Sequence, residues 1–276
     1  MPSPRVALVD TTVLTDALLK PGPRSDRARQ SLARYDETLL PAYAIREFKA
    51  GPFRAFLWLH NKYAFLGSHE QAVGAIQKIS RGWQPNLVST ALEALQIAAQ
   101  NFANSLSELV REYTPSADPD KVIADRYRLA LKRIIYLAWR ERRRITTRVT
   151  HELACFVEGE LTVENSRVEV ARFGCSPDSP CGLQDHLRPH LPEIRALLSS
   201  NAFDGEKTEI QKRRKVLKDF ARKPNDPIKE GTCRRIGDAA FVLLAPKGAT
   251  ILTTNPVDFV PMAKVLGKIV ETPDPT

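Results

Sequence analysis

The chain has 276 residues, 43% of them hydrophobic, enough to bury a proper core in one large domain or two small ones. No stretch reaches the roughly 18 apolar residues of a membrane-spanning helix, and the start MPSPRVALVDTTVL lacks the apolar run and cleavage site of a secretory signal. The formal net charge of +9 favours a polyanionic partner over a membrane interior.

In chain order, Val6-Ala7-Leu8-Val9 is a short apolar run ending at Asp10. It reads as a buried strand, and TTVLTDALLK after it as a helix with Thr11 or Thr12 placed to cap it. After the turn PGPRS, RARQSLARY predicts a second short helix, TLLPA a second strand, and AIREFKAG a helix that carries Glu47. The aromatic stretch FRAFLWLHNKYAF (53–65) has the rings to stack bases, but at this density on a helix it reads as core.

A long, mainly helical segment follows. Val88, Leu92, Leu95, Ala99, Phe102, Leu106 and Leu109 recur at helical intervals as one continuous stripe. Beyond the breaker TPSADPD, a second helix places Ile123, Tyr127, Leu131, Ile134 and Ala138 on one side, and the two predict an antiparallel helical hairpin. Residues 161–172 alternate as a β-ribbon, CSPDSPCG is a loop, and EKTEIQKRRKVLKDFA is a basic helix. Near the C-terminal end, IGDAAFVLLA predicts an apolar helix, GATILTT a strand, DFVPMAKVLG a helix and KIVET a last strand. Strands alternating with helices, without hairpin signals at either end of the chain, predict an α/β fold with a central parallel sheet and flanking helices, interrupted by a large helical insertion. The boundaries are 1–66 and 226–276 for the sheet domain and 67–225 for the basic insertion.

The basic residues cluster. Residues 121–148 are rich in Lys and Arg and include Arg140, Arg142, Arg143 and Arg144; a second cluster holds Lys212, Arg213, Arg214 and Lys215. Both suit phosphate neutralisation by a nucleic-acid-binding surface. A merely solvated helix face is the alternative.

The four cysteines of a chain expected in the cytoplasm read as reduced thiols or metal ligands. Cys175, Cys181, His186 and His190 form C-x5-C-x4-H-x3-H, a conceivable Zn²⁺ site whose first spacing exceeds the usual two to four residues. Loop residues without metal are the preferred reading. His151-Glu152 opens like a zinc-protease helix, but Cys155 stands where the second His belongs.

In a parallel α/β sheet, ligands bind at the carboxyl ends of the strands. Asp10 sits at one such end, and Thr253, Thr254 and Asn255 at another, with Asp258 three residues on. Glu47, in the helix after the second strand, can lean over the same rim, and Asp238 opens the apolar helix that leads to GATILTT. Four carboxyl groups in one crevice repel and need a cation. Oxygen-only donors suit Mg²⁺ or Mn²⁺.

DTTVLTDALL, AIREFKAG and IGDAAFVLLAPKGATILTTNPVDF, in that order, resemble the motifs of the PIN-domain nuclease family, closest in style to the ribonuclease toxins of bacterial toxin–antitoxin pairs. The resemblance covers residues 1–66 and 226–276. It implies a metal-dependent endoribonuclease in which Asp10, Glu47, Asp238 and Asp258 hold Mg²⁺ or Mn²⁺ and act in catalysis, while Thr12, Thr253 and Asn255 position water or metal. RNA is the implied substrate and a protein such as an antitoxin a conceivable partner; the insertion would bind substrate or build a homo-oligomer. A toxin-like or defence nuclease acting on single-stranded DNA is the first rival, and a nucleic-acid-binding or scaffold protein with a decayed site the second. The departures are the long separation of Glu47 from Asp238, Thr12 where Asn or Ser is frequent, and Asn255 where many members carry a fourth carboxylate.

Overall fold

The computed structural model describes residues 4–80, 85–103, 118–155, 159–170, 181–204, 208–228 and 231–273. Strand β1 (Val6–Val9) is apolar at every position and occupies the centre of a five-stranded, all-parallel sheet. A strand covered on both faces has no solvated side to carry polar alternation. On one side lie β2 (Glu37–Pro41) and β3 (Arg148–Thr150), on the other β6 (Thr250–Leu252) and β7 (Ile269–Glu271), giving the order β3-β2-β1-β6-β7. The remaining strands, β4 (Leu161–Glu164) and β5 (Arg167–Val170), form the expected ribbon. Its two-residue turn, Asn165-Ser166, has both residues at positive φ, the conformation that suits tight hairpins.

Around the sheet run α1 (Thr11–Leu19), α2 (Pro23–Leu32) and α3 (Ala42–Phe48). A π-helical turn, Lys49–Phe53, passes α3 directly into α4 (Arg54–Leu66). Next come α5 (His69–Ser80), α6 (Pro85–Ala103) and α7 (Pro119–Glu141). The C-terminal half adds α8 (Leu183–Leu187), α9 (Leu191–Ser199), α10 (Thr208–Arg222), α11 (Thr232–Ile236), α12 (Asp238–Leu244) and α13 (Pro256–Val265). No helix among the described residues is long and apolar enough to cross a membrane.

Three expectations change in detail. Asp238 opens the apolar helix α12 as expected, but Ile236 belongs to the short helix before it, from which Gly237 divides it with a φ of 46° and ψ of −120° that are strained for any side-chain-bearing residue. Of the stripes expected on α6 and α7, Leu131 and Ala138 are buried and Val88, Leu95, Tyr127 and Ile134 pack half-buried on the core, but the most buried line runs beside them. Ala91, Ala94, Ile97 and Ala98 are the buried face of α6, while Leu92 is exposed, and Ala124, Leu131, Ile135 and Ala138 serve α7, with Ile123 exposed. Small residues win these positions because α4, α6 and α7 pack on one another and close approach favours alanine. Leu106 and Leu109 lie outside the described residues. Finally, the segment 67–225 is not a body apart. Its Arg148–Thr150 completes the sheet edge against Leu39–Pro41, locked by Thr147, which exchanges backbone–hydroxyl hydrogen bonds with Thr38 at 2.8–2.9 Å.

The aromatic stretch is core at Phe53, Phe56 and Tyr63; Phe65 is exposed beneath Arg167. Behind the sheet rim a second aromatic line ties three helices together. Tyr43 of α3 meets Phe241 of α12 at 5.4 Å between ring centroids, and Phe241 meets Phe259 of α13 edge-on at 6.1 Å. All three are almost fully buried. Truncating such a ring to Ala costs about 3–5 kcal/mol. These helices carry Glu47, Asp238 and Asp258, so the core sets where the acidic groups stand.

Candidate active site

The strand order reverses between β1 and β6, and a parallel sheet opens a crevice at such a switch point, outside the carboxyl ends of its strands. Val9 pairs in register with Leu252. The next residues, Asp10 and Thr253, therefore leave the sheet side by side. Asp10 is the floor of the crevice, 3% exposed. Its Oδ1 accepts from the Thr11 amide at 2.6 Å; its Oδ2 accepts from the Thr12 hydroxyl at 2.6 Å and the Thr253 hydroxyl at 2.7 Å. Asp10 itself, rather than Thr11 or Thr12, thus caps α1. The two threonines serve the site instead.

Thr12 and Thr253 also order the opposite wall. The Thr254 amide donates to the Thr12 hydroxyl and the Asn255 amide to the Thr253 hydroxyl, both at 3.0 Å. The Asn255 side-chain amide donates to Asp258 Oδ2 at 2.6 Å. Asp258 lies in the first turn of α13, held there by Asn255, the residue that precedes the helix. On the other side the Thr11 hydroxyl donates to Glu47 Oε2 at 2.8 Å. Tyr43, whose hydroxyl donates to the Cys233 carbonyl at 3.0 Å, lies beside Glu47. Thr11 and Tyr43 were not singled out for the site from sequence. A hydroxyl directly after a strand-end aspartate, and a tyrosine one helical turn before the glutamate, were the available signals.

The electrostatics show that these groups sense one another. Burial pushes the Glu47 carboxyl up to about 7; Tyr43 and Thr11 oppose this, while Asp10 and Asp238 add to it. Asp10 is raised by burial and by Asp238, against the hydrogen bonds from Thr12 and Thr253. Asp238 is raised by burial, relieved by Arg213 and raised again by Asp258. Burial and the nearby charge of Glu47 hold Tyr43 as a neutral phenol. The structure therefore sets Asp10, Glu47 and Asp238 within electrostatic reach of one another, and Asp258 within reach of Asp238.

Among the described residues, no three His, Cys, Asp or Glu side chains are already gathered as a metal-binding group. The donor chemistry nevertheless fits a hard divalent cation. The donors are all oxygen, and a carboxylate has about four lone-pair sites, of which the hydrogen bonds above use three at Asp10. Asp238 faces Arg213, whose Nη2 donates to its Oδ2 at 2.5 Å.

Two of the basic residues expected at a nucleic-acid surface are turned inward. Arg213 is the one just described. Arg142 is buried at 8% exposure, with its guanidinium 3.6 Å from the Trp139 ring centroid and Nη1 donating to the Trp139 carbonyl. Planar guanidinium stacks on indole well, and here that contact outcompetes solvent. Arg140, Arg143, Arg144, Lys212 and Lys215 are exposed, and Arg214 is half-buried. Of the zinc candidates, Cys175 lies outside the described residues, Cys181 is exposed, and His186 and His190 approach to 4.8 Å between rings with His190 contacting Glu193.

Comparison with protein-family models, with curated proteins and with solved structures yields no match. The reading of the site rests on its own geometry.

Proposed function

We propose that the chain is a divalent-metal-dependent nuclease, an endoribonuclease with a PIN-like sheet into which a basic helical segment is inserted. The observation that supports the reading is a set of mutually repelling carboxylates, Asp10 buried and Glu47 and Asp238 half-buried, near the switch point of a parallel sheet. A fold that stabilises a core does not gather such groups without a cationic ligand to meet them. Asp10, Glu47, Asp238 and Asp258 would hold Mg²⁺ or Mn²⁺. When bound, the ion would neutralise these groups and polarise the scissile phosphate.

The chain's own residues do the rest. Thr12 and Thr253 hold Asp10 in one rotamer, and Thr11 aims Glu47. In the metal-free protein burial holds the Glu47 carboxyl near 7, and a bound cation would favour its ionised form. The exposed Arg140, Arg143, Arg144, Lys212 and Lys215 supply phosphate contacts to a strand, whether of RNA or of single-stranded DNA.

Cleavage of end-labelled RNA and of single-stranded DNA, each with Mn²⁺ and with EDTA, tests the reading. Mn²⁺-dependent RNA cleavage is expected. Cleavage confined to DNA would move the substrate to the first rival class. Binding of either strand without cleavage in any metal would leave a nucleic-acid-binding protein with a decayed site.

A further inference from the structure

Another recess opens away from the crevice, at the end of α7. Its volume of about 570 Å³ lies within the roughly 300–1,000 Å³ of small-ligand sites. One wall is the last turns of α7, where Trp139 and Arg140 follow Tyr136 at three and four residues and so share its helix face, with Arg142 and Arg143 just beyond. The facing wall is the short run Gly159 to Leu161. The Trp139 indole N–H donates to the Gly159 carbonyl at 3.1 Å and fastens one wall to the other. Arg142 is buried against the Trp139 ring, so these two are fixed parts of the recess.

Beside them, Tyr136 is 38% exposed, with Lys132 Nζ 5.9 Å from its ring centroid, and Arg140 and Arg143 are exposed. Arg140 meets Glu141 through Nε at 2.8 Å, an exposed pair of the kind that contributes little and yields to a stronger anion. Cations at a helix C-terminus offset its dipole. That accounts for the charge, but not for an exposed aromatic ring set among the cations over a cavity. A ring flanked by cations suits one nucleotide of a single strand, whose base stacks while its phosphates meet guanidinium groups. Glu160, an acceptor-only carboxylate in the same recess, favours a nucleotide over a bare phosphate: it repels the anion but accepts from the N–H edge of a base.

The recess lies at the other edge of the sheet from the crevice. The Arg144 and Ile145 amides turn back onto the Glu141 carbonyl, and the chain then enters β3 at Arg148, the N-terminal end of that strand. Asp10 and Thr253 follow the C-terminal ends of β1 and β6, and all five strands are parallel.

We propose that this recess anchors one nucleotide of a single-stranded nucleic acid, with the base on Tyr136 and the phosphates on Arg140 and Arg143. The inference rests on the nucleic-acid part of the reading above and not on its metal centre, since none of these residues belongs to the crevice. A strand gripped here is held at a distance from the carboxylates, so the recess serves binding and not chemistry.

Fluorescence anisotropy of the full chain in EDTA tests it, with a labelled oligouridylate, an oligothymidylate and an abasic oligomer of equal length. The unchanged chain is expected to bind the abasic oligomer on the order of tenfold more weakly than the base-bearing strands. Tyr136→Ala should bring the base-bearing strands down to the abasic level at an unaltered salt slope, and Tyr136→Phe should keep their affinity. Arg143→Ala should instead reduce the slope by roughly 0.7. The tighter of the two base-bearing strands tells RNA from DNA, and either result supports the recess. Equal binding of base-bearing and abasic strands by the unchanged chain would overturn the proposal. So would a Tyr136→Ala protein that binds as the unchanged chain does. Poly-glutamate that displaces oligouridylate as readily as unlabelled oligouridylate would make this a surface for acidic proteins and overturn it too. Should Tyr136→Ala not fold, the abasic comparison and Tyr136→Phe decide. Binding as expected with no cleavage in Mn²⁺ would leave the recess standing and remove only the metal centre.

Discussion

Residues 140–144 (Arg-Glu-Arg-Arg-Arg) and 212–215 (Lys-Arg-Arg-Lys) look alike as sequence, each a short, mainly basic run in or at the end of a helix. In each, one arginine turns inward. Arg142 stacks on the ring of Trp139 and donates to its carbonyl. Arg213 settles on Asp238, a carboxylate that also feels the charge of Asp258. The same side chain is a packing element in one place and a counter-ion in the other, and the difference lies wholly in what the fold puts opposite it. A basic run is thus not a unit of binding. Its members must be sorted by partner.

The crevice side of this comparison is broken most sharply by Asp10→Asn. Asparagine caps a helix as well as aspartate does, so folding should be retained. The lost charge should cut turnover on the order of a hundredfold or more. Cleavage rates at saturating Mn²⁺, alongside a thermal melt, check it; full activity would show that Asp10 only caps α1.

A pH series separates the two sides next. Glu47 is raised from 4.5 to about 7, so between these values the folded protein holds a proton that the unfolded chain has lost. Stability of the EDTA-treated protein should therefore fall as pH rises through that window, opposite in sign to a salt-bridged carboxylate. Glu47→Gln should be more stable than the unchanged chain by about 2 kcal/mol at pH 8 and no more stable at pH 4.5. Asp10 and Asp238, shifted the same way, retain part of the slope. Parallel melting curves across the range would contradict the burial of Glu47.

On the other side, Arg142→Ala should lower stability by about 2 kcal/mol through lost stacking and a lost hydrogen bond, and leave Mn²⁺ affinity unchanged. Arg213→Gln should also lower stability, since it leaves Asp238 without its counter-charge, but unlike Arg142→Ala it should change Mn²⁺ affinity as well. Equivalent behaviour of the two variants would dissolve the distinction drawn above.

The smallest effect concerns the arginines that stay outside. Changing Arg140, Arg143 and Arg144 together to Ala should flatten the salt dependence of binding to single-stranded RNA, by a slope of roughly 0.7 per lost contact. Adding Arg142→Ala should flatten it no further. A slope untouched by the triple change would assign this face to solvent.

Much of the site was legible because its signals are local. An apolar strand ending in Asp10, a Thr-rich end at 253–255, and acidic residues just inside Glu47- and Asp238-bearing helices follow from strand and helix periods that any short window contains. Gly237 was legible only in hindsight, since IGDAAF has the composition of one unbroken helix, and a positive φ is a property of how two helices meet. The stripe on α6 missed its most buried positions for a similar reason. Leucine marks an apolar face in isolation, but with three helices in close contact alanine takes the tightest positions.

The sequence by itself determined the alternation of strands and helices and the four carboxylates at their ends, because hydrophobic periodicity and burial act over a few residues at a time. Tertiary structure alone decided three things. It chose the order β3-β2-β1-β6-β7, which makes neighbours of Asp10 and Thr253 across 243 positions. It drew Arg148–Thr150 out of the helical segment into the sheet. It also aimed Arg142 at an indole and Arg213 at a carboxylate. Long-range pairing is set by which buried surfaces and polar groups can satisfy one another at once, and no single stretch of chain contains both partners of such a choice.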